Sequence, residues 1–131
     1  MPKRNLPNYS EFYEARNFCP GNERAVMTNW NGEKVPMGTN LLFKCKNMPE
    51  LTVAAEICED VWVPCPPSIR HALAGATVVV NCSASDETTG KDMYRHDLIC
   101  ISRPGWCAVM SMPMQGRENP PRIWYLEARI L

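Results

Sequence analysis

The sequence has no excess of charge of either sign and no long apolar run. Its 131 residues contain 14 Lys and Arg against 14 Asp and Glu, so the formal net charge is zero and no nucleic-acid partner is expected. No segment approaches the roughly 18 to 20 apolar residues that span a bilayer, and residues 1–18 lack the apolar region of a signal peptide. These absences predict a cytoplasmic protein with no membrane partner.

The sequence also lacks the spacings that organise cysteines into disulfide frameworks or zinc sites. The seven cysteines are an odd number, none forms a C-x-x-C pair, and His71 and His96 do not stand at a zinc-ligand spacing, so no metal is expected. Most of these thiols lie in apolar runs, where a free cysteine usually packs as a small hydrophobic side chain. Core packing is the prediction for six of the seven, and Cys58 is the exception.

Apolar runs separated by turn signals predict one domain of the α/β class. The predicted elements are a short helix at 11–16, a long excursion at 17–38 with a tight turn at Asn31-Gly32, strands at 39–45 and 51–57, a helix that starts at Pro66-Pro67-Ser68 and ends at Gly75, a strand at 77–82 buried on both faces, a helix at 91–103 and a strand at 106–112. No element is predicted for the tail at 113–131.

The order β-α-β-α-β from residue 51 predicts parallel strands, whose carboxyl ends form the functional edge of such a sheet. Cys58 follows the first of these strands, and residues 83–85 follow the second. Glu56, Glu59 and Asp60 put negative charge near the sulfur, which disfavours the thiolate unless a cation lies nearby. Cys58 is therefore either a buried thiol or a nucleophile that needs a positive partner from elsewhere in the chain.

Four runs of the sequence carry a resemblance to a known family: 2-PKRNLPNYSEFYEAR-16, 56-EICEDVWVPCPPS-68, 71-HALAGATVVVNCSAS-85 and 90-GKDMYR-95. They resemble, in order over residues 2 to 103, the glutaminase domain of glutamine-dependent NAD synthetases, in the nitrilase (carbon-nitrogen hydrolase) superfamily. The resemblance implies an α-β-β-α sandwich and a Cys-Glu-Lys triad that releases ammonia from glutamine through a thioester intermediate.

The resemblance also implies roles for individual residues. Lys3 stands at the catalytic lysine and Cys58 at the nucleophile, so Lys3 is the missing cation. Glu11 stands where many nitrilases keep a second glutamate that orients the lysine and the attacking water. Five further positions match the glutamine pocket of the family: Tyr9, Phe12, Glu59, Ser85 and Lys91. Each of these residues also has an ordinary structural alternative, as a core aromatic, a surface charge or a turn residue.

The sequence departs from the family pattern in what it lacks. The triad glutamate lies upstream of the lysine in the family, and this sequence offers no position for it; the synthetase domain, with its S-G-G-x-D-S loop for ATP and Mg, is absent too. Residues 1–131 are therefore expected to be the C-terminal part of a glutaminase domain, a partial sandwich without a cofactor, inactive alone. The expected partners are L-glutamine and the missing N-terminal half, the synthetase domain or further copies of the chain.

Two alternatives remain open at this stage. The chain could be a non-catalytic remnant or interaction fragment, because an exposed sheet edge and an uncovered apolar face favour association. It could also belong to another nitrilase-type amidase, although the run 6-LPNYSEFYE-14 fits the NAD synthetase branch better.

Overall fold

The structure is a computed structural model that describes residues 1–84 and 88–100 in full, together with the strands at 109–113 and 123–126. Its helices are α1 (Glu14–Asn17), α2 (Pro67–Leu73) and α3 (Lys91–Cys100), with one 3-10 turn at Cys58–Val61. Its strands are β1 (Val26–Trp30), β2 (Glu33–Met37), β3 (Leu42–Lys44), β4 (Thr52–Ile57), β5 (Val78–Cys82), β6 (Val109–Pro113) and β7 (Ile123–Leu126).

A five-stranded sheet in the order β3-β4-β5-β6-β7 forms the body of the fold. Strands β4, β5 and β6 are parallel, with α2 and α3 as the crossovers between them, which confirms the predicted β-α-β-α-β order. Strands β3 and β7 join the two sides antiparallel. The register pairs Ile57 with Cys82, so the carboxyl ends of β4 and β5 lie side by side. The fold class is α/β, as predicted.

Burial alternates along the central strands and sets which side chains face the core. In β4, Thr52, Ala54 and Glu56 are buried while the residues between them are half-buried. Apolar burial is concentrated in a cluster formed by Ala54, Val61, Ala76, Val79 and Ile99. The most heavily buried side chains also include several polar ones, Glu56, Asp60, Ser68, His71 and Asn81. A buried polar side chain needs a partner, so this group determines much of the geometry near the ends of β4 and β5.

The predicted turn at Asn31-Gly32 is confirmed, and it joins a two-stranded hairpin. Asn31 has φ 50° and Gly32 has φ 86°, the left-handed conformation that a two-residue hairpin turn requires and that Asn-Gly adopts readily. The flanking strands β1 and β2 were not predicted, because their residues lack a clear apolar alternation. They expose most of their side chains, Met27 and Trp30 among them.

Several element boundaries differ from the predicted ones. The first helix is Glu14–Asn17 rather than 11–16, and the strand predicted at 39–45 shortens to Leu42–Lys44. Pro67 occupies the first turn of α2 and Gly75, at φ 94°, follows its end, as the turn signals indicated. The predicted residues 101–103 and 106–108 lie outside the described residues. Strand β7 was missed because its short run, 123-IWYL-126, lies in a proline-rich tail.

The prediction that six cysteines pack in the core is wrong for the described residues. Cys45 is half-buried, and four other thiols are exposed: Cys19, Cys65, Cys82 and Cys100. Cys107 lies outside the described residues. Cys82 is the last residue of β5 and Cys100 the last residue of α3, whereas Cys19, Cys45 and Cys65 lie in loops, so none of these thiols stands in the middle of a strand. Strand β5 likewise buries Val79 and Asn81 but leaves Val78 and Val80 half-buried and Cys82 exposed, so the prediction of burial on both faces is wrong as well.

Candidate active site

Cys58 stands at the junction between β4 and the 3-10 turn. Its φ is 49°, and it is one of three residues other than glycine with positive φ among the described residues. The left-handed conformation costs a residue with a β-carbon about 1 to 2 kcal/mol, so the surrounding contacts must hold it in place. The side chain is half-buried. Cys58 thus follows the carboxyl end of a parallel strand, as the order of elements predicted.

Asp60 is the buried anion of this turn, with 1% of its surface exposed. One carboxylate oxygen accepts hydrogen bonds from the backbone N–H of Ile57 at 3.0 Å and of Arg4 at 3.3 Å. The other oxygen accepts from the backbone N–H and the side-chain amide of Asn5, at 2.7 and 2.9 Å. One carboxylate thus joins the residue before Cys58 to the residues after Lys3.

Lys3 contacts a glutamate other than the expected one. Its ammonium lies 2.7 Å from both carboxylate oxygens of Glu14, and the two side chains are 13% and 30% exposed. Glu11, the predicted partner, is exposed. The lysine contact therefore belongs to Glu14, because the chain turns between residues 7 and 14, where the Glu14 N–H donates to the Pro7 carbonyl at 3.2 Å.

Further contacts hold the backbone around Lys3. The Gly21 N–H donates to the Lys3 carbonyl at 2.7 Å. A β-carbon at Gly21 would lie 2.7 Å from side-chain atoms of Pro2 and Thr39, so this close approach requires glycine. On the outer side, Glu23 bridges Arg4 at 3.1 Å and Arg70 at 2.8 Å. The hydrogen bond from Arg70 lowers the pKa of the Glu23 carboxyl.

Tyr9, Phe12 and Glu59 come together beside Cys58. The Tyr9 hydroxyl donates to Glu59 Oε2 at 2.8 Å, and the Tyr9 and Phe12 rings meet edge to face with centroids 6.0 Å apart. The hydrogen bond to Glu59 is the main reason that the pKa of Tyr9 rises to about 12, and partial burial and the charge of Glu59 contribute.

Two further residues of the predicted pocket, Ser85 and Lys91, follow β5 in the sequence. Ser85 lies outside the described residues. Lys91 is the first residue of α3 and is half-buried, and its backbone N–H donates to the Thr88 carbonyl at 3.0 Å. The same helix reaches the nucleophile turn through Tyr94, whose ring stacks on Trp62 at a centroid distance of 5.6 Å.

Sequence reasoning missed a second buried polar group behind Cys58. The Asn81 side-chain amide donates to Glu56 Oε1 at 3.2 Å and to the Cys58 carbonyl at 3.3 Å. The Ser83 hydroxyl donates to the side-chain oxygen Oδ1 of Asn81 at 3.0 Å, and the Ser68 backbone N–H donates to Glu56 Oε2 at 3.1 Å. The signal in the sequence was Glu56, which stands on the same face of β4 as the buried residues Thr52 and Ala54.

Within the described residues, no group of three or more His, Cys, Asp and Glu side chains could hold a metal ion. In the same part of the chain, no helix is long and apolar enough to cross a membrane. The turn at Cys58 thus carries a thiol and carboxylates and contacts the Tyr9 phenol, and Asp60 ties it to the segment that follows the Lys3 ammonium. These groups are suited to nucleophilic attack and to binding a small zwitterion.

Similar proteins cover almost the whole chain. The chain is 46% identical over 127 residues to the glutamine-dependent NAD(+) synthetase of Mycobacterium bovis, which covers 95% of this chain and 19% of that protein. It is 34% identical over 110 residues to that of Thermotoga maritima, covering 83% and 16%. The chain is homologous to part of glutamine-dependent NAD(+) synthetase.

A solved structure agrees with this homology. The glutamine-dependent NAD+ synthetase of Acinetobacter baumannii superposes with a TM-score of 0.62 at 19% identity, over 95% of this chain and 20% of that one. At this identity the likeness shows that the fold is shared. No protein-family model matches the chain. The chain spans 19% of the length of the mycobacterial synthetase, so it corresponds to a fragment of these enzymes.

Replacing the buried carboxylate tests its role as an anchor. Asp60→Asn puts an amide group among backbone N–H donors and should lower the free energy of unfolding by about 3 kcal/mol, as expected for lost hydrogen bonds to a charged group. Urea unfolding followed by circular dichroism measures this loss. Asp92→Asn, at an exposed position in the first turn of α3, is the control and should cost less than about 1 kcal/mol. Equal losses in the two variants would contradict the anchoring role.

The contact between Tyr9 and Glu59 predicts a pH dependence. The phenol is neutral while it donates, and its pKa is raised from 10.0 to about 12, so the hydrogen bond is intact below pH 10 and is lost as the pH rises through about 12. The difference in ultraviolet absorbance between the wild type and Tyr9→Phe, titrated from pH 8 to 13, isolates this phenol. Glu59→Gln should shift its midpoint toward 10, and an unchanged midpoint would contradict the assignment.

Proposed function

We propose that this chain provides the nucleophile and lysine portion of a glutaminase site, which hydrolyses the side-chain amide of glutamine. In the complete enzyme the ammonia would be used for ATP-dependent synthesis of NAD from deamido-NAD. The homology to glutamine-dependent NAD(+) synthetases supports the reaction class. The observation that carries the proposal is the shared Asp60 carboxylate, which ties the segment before Cys58 to the segment after Lys3.

The proposed chemistry is amide hydrolysis through a covalent intermediate. The Cys58 thiolate attacks the amide carbon of the glutamine side chain, and the carbonyl π electrons move onto oxygen, where the Lys3 ammonium stabilises the oxyanion. Collapse breaks the C–N bond, and the nitrogen leaves as ammonia after it receives a proton. Water then attacks the thioester, which releases glutamate and restores the thiol. The Glu14 carboxylate fixes the Lys3 ammonium through its two contacts at 2.7 Å.

The proposed pocket for the amino-acid end of glutamine is the cluster of Tyr9, Phe12 and Glu59. Its carboxylate suits the substrate ammonium, and its aromatic rings suit the methylene stem. Tyr9 orients Glu59 through the bond at 2.8 Å. Ser85 and Lys91 are proposed to bind the substrate carboxylate, and Glu11 is proposed to orient the attacking water. These assignments come from the family resemblance.

Turnover is proposed to require a glutamate outside residues 1–131. The resemblance assigns the general base of the triad to a glutamate on another unit of the glutaminase domain, upstream of the lysine. We propose that this unit and the synthetase domain, which uses ATP and Mg²⁺, act in concert with residues 1–131. The exposed Trp30 and Met27 on the hairpin and the half-buried face of β5 also favour assembly with another chain. The same surfaces favour the alternative of a non-catalytic interaction fragment in the cytoplasm.

A glutamine analogue that carries a diazo-ketone group tests the pocket. The analogue should alkylate Cys58 in the folded chain, as peptide mass spectrometry would show, and excess glutamine should protect it. Cys65 is an exposed thiol seven residues away and is the internal control for non-selective alkylation. An adduct on Cys65 without one on Cys58 would contradict the proposed pocket and favour the interaction fragment.

Ammonia release tests the dependence on a glutamate outside residues 1–131. The isolated chain should release little or no ammonia from glutamine, because the general base is supplied elsewhere. A coupled assay with glutamate dehydrogenase measures the ammonia. Release that disappears in Cys58→Ala would show that the chain is a complete glutaminase and would refute this dependence.

A further inference from the structure

Cys58 is held on its two sides by two different buried side chains. On the amino side, Asp60 accepts from the Ile57 N–H at 3.0 Å. On the carboxyl side, Asn81 donates to the Cys58 carbonyl at 3.3 Å. The Cys58 backbone between these contacts has φ 49°, a conformation that a cysteine does not retain without external support.

The orientation of Asn81 follows from its partners. Its carbonyl oxygen accepts from the Ser83 hydroxyl at 3.0 Å, so its nitrogen faces Glu56 Oε1 and the Cys58 carbonyl. Both of these atoms are acceptors, so the two N–H groups of one amide match them and a flipped amide would not. Glu56 is itself fixed by the Ser68 N–H at the start of α2. Asn81 and Ser68 are fully buried, and Glu56 is 1% exposed.

We propose that Asn81 is the positioning residue of the site: its carboxamide, oriented by Glu56 and Ser83, holds the Cys58 peptide in the left-handed conformation that presents the thiol to glutamine. The inference rests on the proposed glutaminase function and adds a residue to it. Asn81 lies on β5 and Cys58 follows β4, so the parallel pairing of these two strands fixes the distance over which the amide acts.

The chemistry of the side chain makes asparagine specific at this position. An aspartate would place a carboxylate against the Glu56 carboxylate and the Cys58 carbonyl, with no hydrogen to donate to either acceptor. An alanine would leave the Cys58 carbonyl without its described side-chain donor. In either case Cys58 is free to relax toward negative φ, and its thiol moves relative to the substrate amide.

The test compares two alkylation rates of Cys58 in the full chain. Asn81→Ala should slow alkylation by the diazo-ketone glutamine analogue by about tenfold or more, since a misplacement of about 1 Å can cost roughly a hundredfold. Alkylation of Cys58 by iodoacetamide, which needs no bound geometry, should be unchanged or faster. Peptide mass spectrometry follows both rates, with Cys65 as the internal reference.

A matched variant separates positioning from stability. Val79→Ala removes a side chain that is 1% exposed on the same strand, and it should destabilise the fold without changing the ratio of the two Cys58 rates. If Asn81→Ala does not fold, Ser83→Ala is the second variant, because it removes the donor that orients Asn81, and it should shift the ratio in the same direction by a smaller factor.

The outcomes distinguish the two proposals. The ratio is the alkylation rate of Cys58 by the glutamine analogue divided by its rate with iodoacetamide. A fall in this ratio in the Asn81 or Ser83 variant, and not in Val79→Ala, supports the positioning role. A ratio unchanged from that of the wild type overturns it and leaves the glutaminase proposal intact. If wild-type Cys58 does not react with the analogue at all, the glutaminase proposal fails, and the positioning role fails with it.

Discussion

The rest of the site depends on the hydrogen bonds that the buried Asp60 carboxylate accepts. It lies in the turn after β4 and accepts from the backbone of residues 4, 5 and 57, together with the Asn5 side chain. A carboxylate with 1% exposure is tolerated only because its oxygens are saturated with donors. The N-terminal segment has no regular secondary structure before α1, so this anion, rather than a sheet ladder, sets where Lys3 lies relative to Cys58.

Two kinds of interaction build the candidate site. The apolar alternation of β4 and β5 sets the register of the two strands and so places Cys58 and Asn81 at one edge of the sheet. The polar contacts of Asp60, Asn81 and Glu14 then fix the side chains and the backbone that perform the proposed chemistry. The strand pairing is common to parallel sheets, whereas the polar contacts depend on individual polar residues at buried positions.

This division explains how far the sequence could be interpreted. The parallel strands, the turn at Asn31-Gly32 and the strand-end position of Cys58 follow from local patterns that depend on a few neighbouring residues. The choice of Glu14 over Glu11 as the partner of Lys3 depends on a chain reversal between residues 7 and 14, which no local pattern encodes. The exposure of Cys82 depends on which elements cover the rim of the sheet. Long-range contacts of this kind cannot be predicted from apolar residues that recur every two residues in a strand or every 3.6 residues in a helix.

The two faces of the Lys3 segment are held by forces of different range. Toward the core, the Asp60 contacts are shielded from solvent, and dissolved ions change such contacts little. Toward solvent, Arg4 and Arg70 share Glu23, and their side chains are between 39% and 55% exposed. Ions screen exposed pairs over a Debye length of about 8 Å at physiological ionic strength. High ionic strength therefore weakens the ion pairs of Glu23 with Arg4 and Arg70. The loop around Gly21 can then loosen in concentrated salt, while the backbone N–H of Arg4 keeps its hydrogen bond to Asp60.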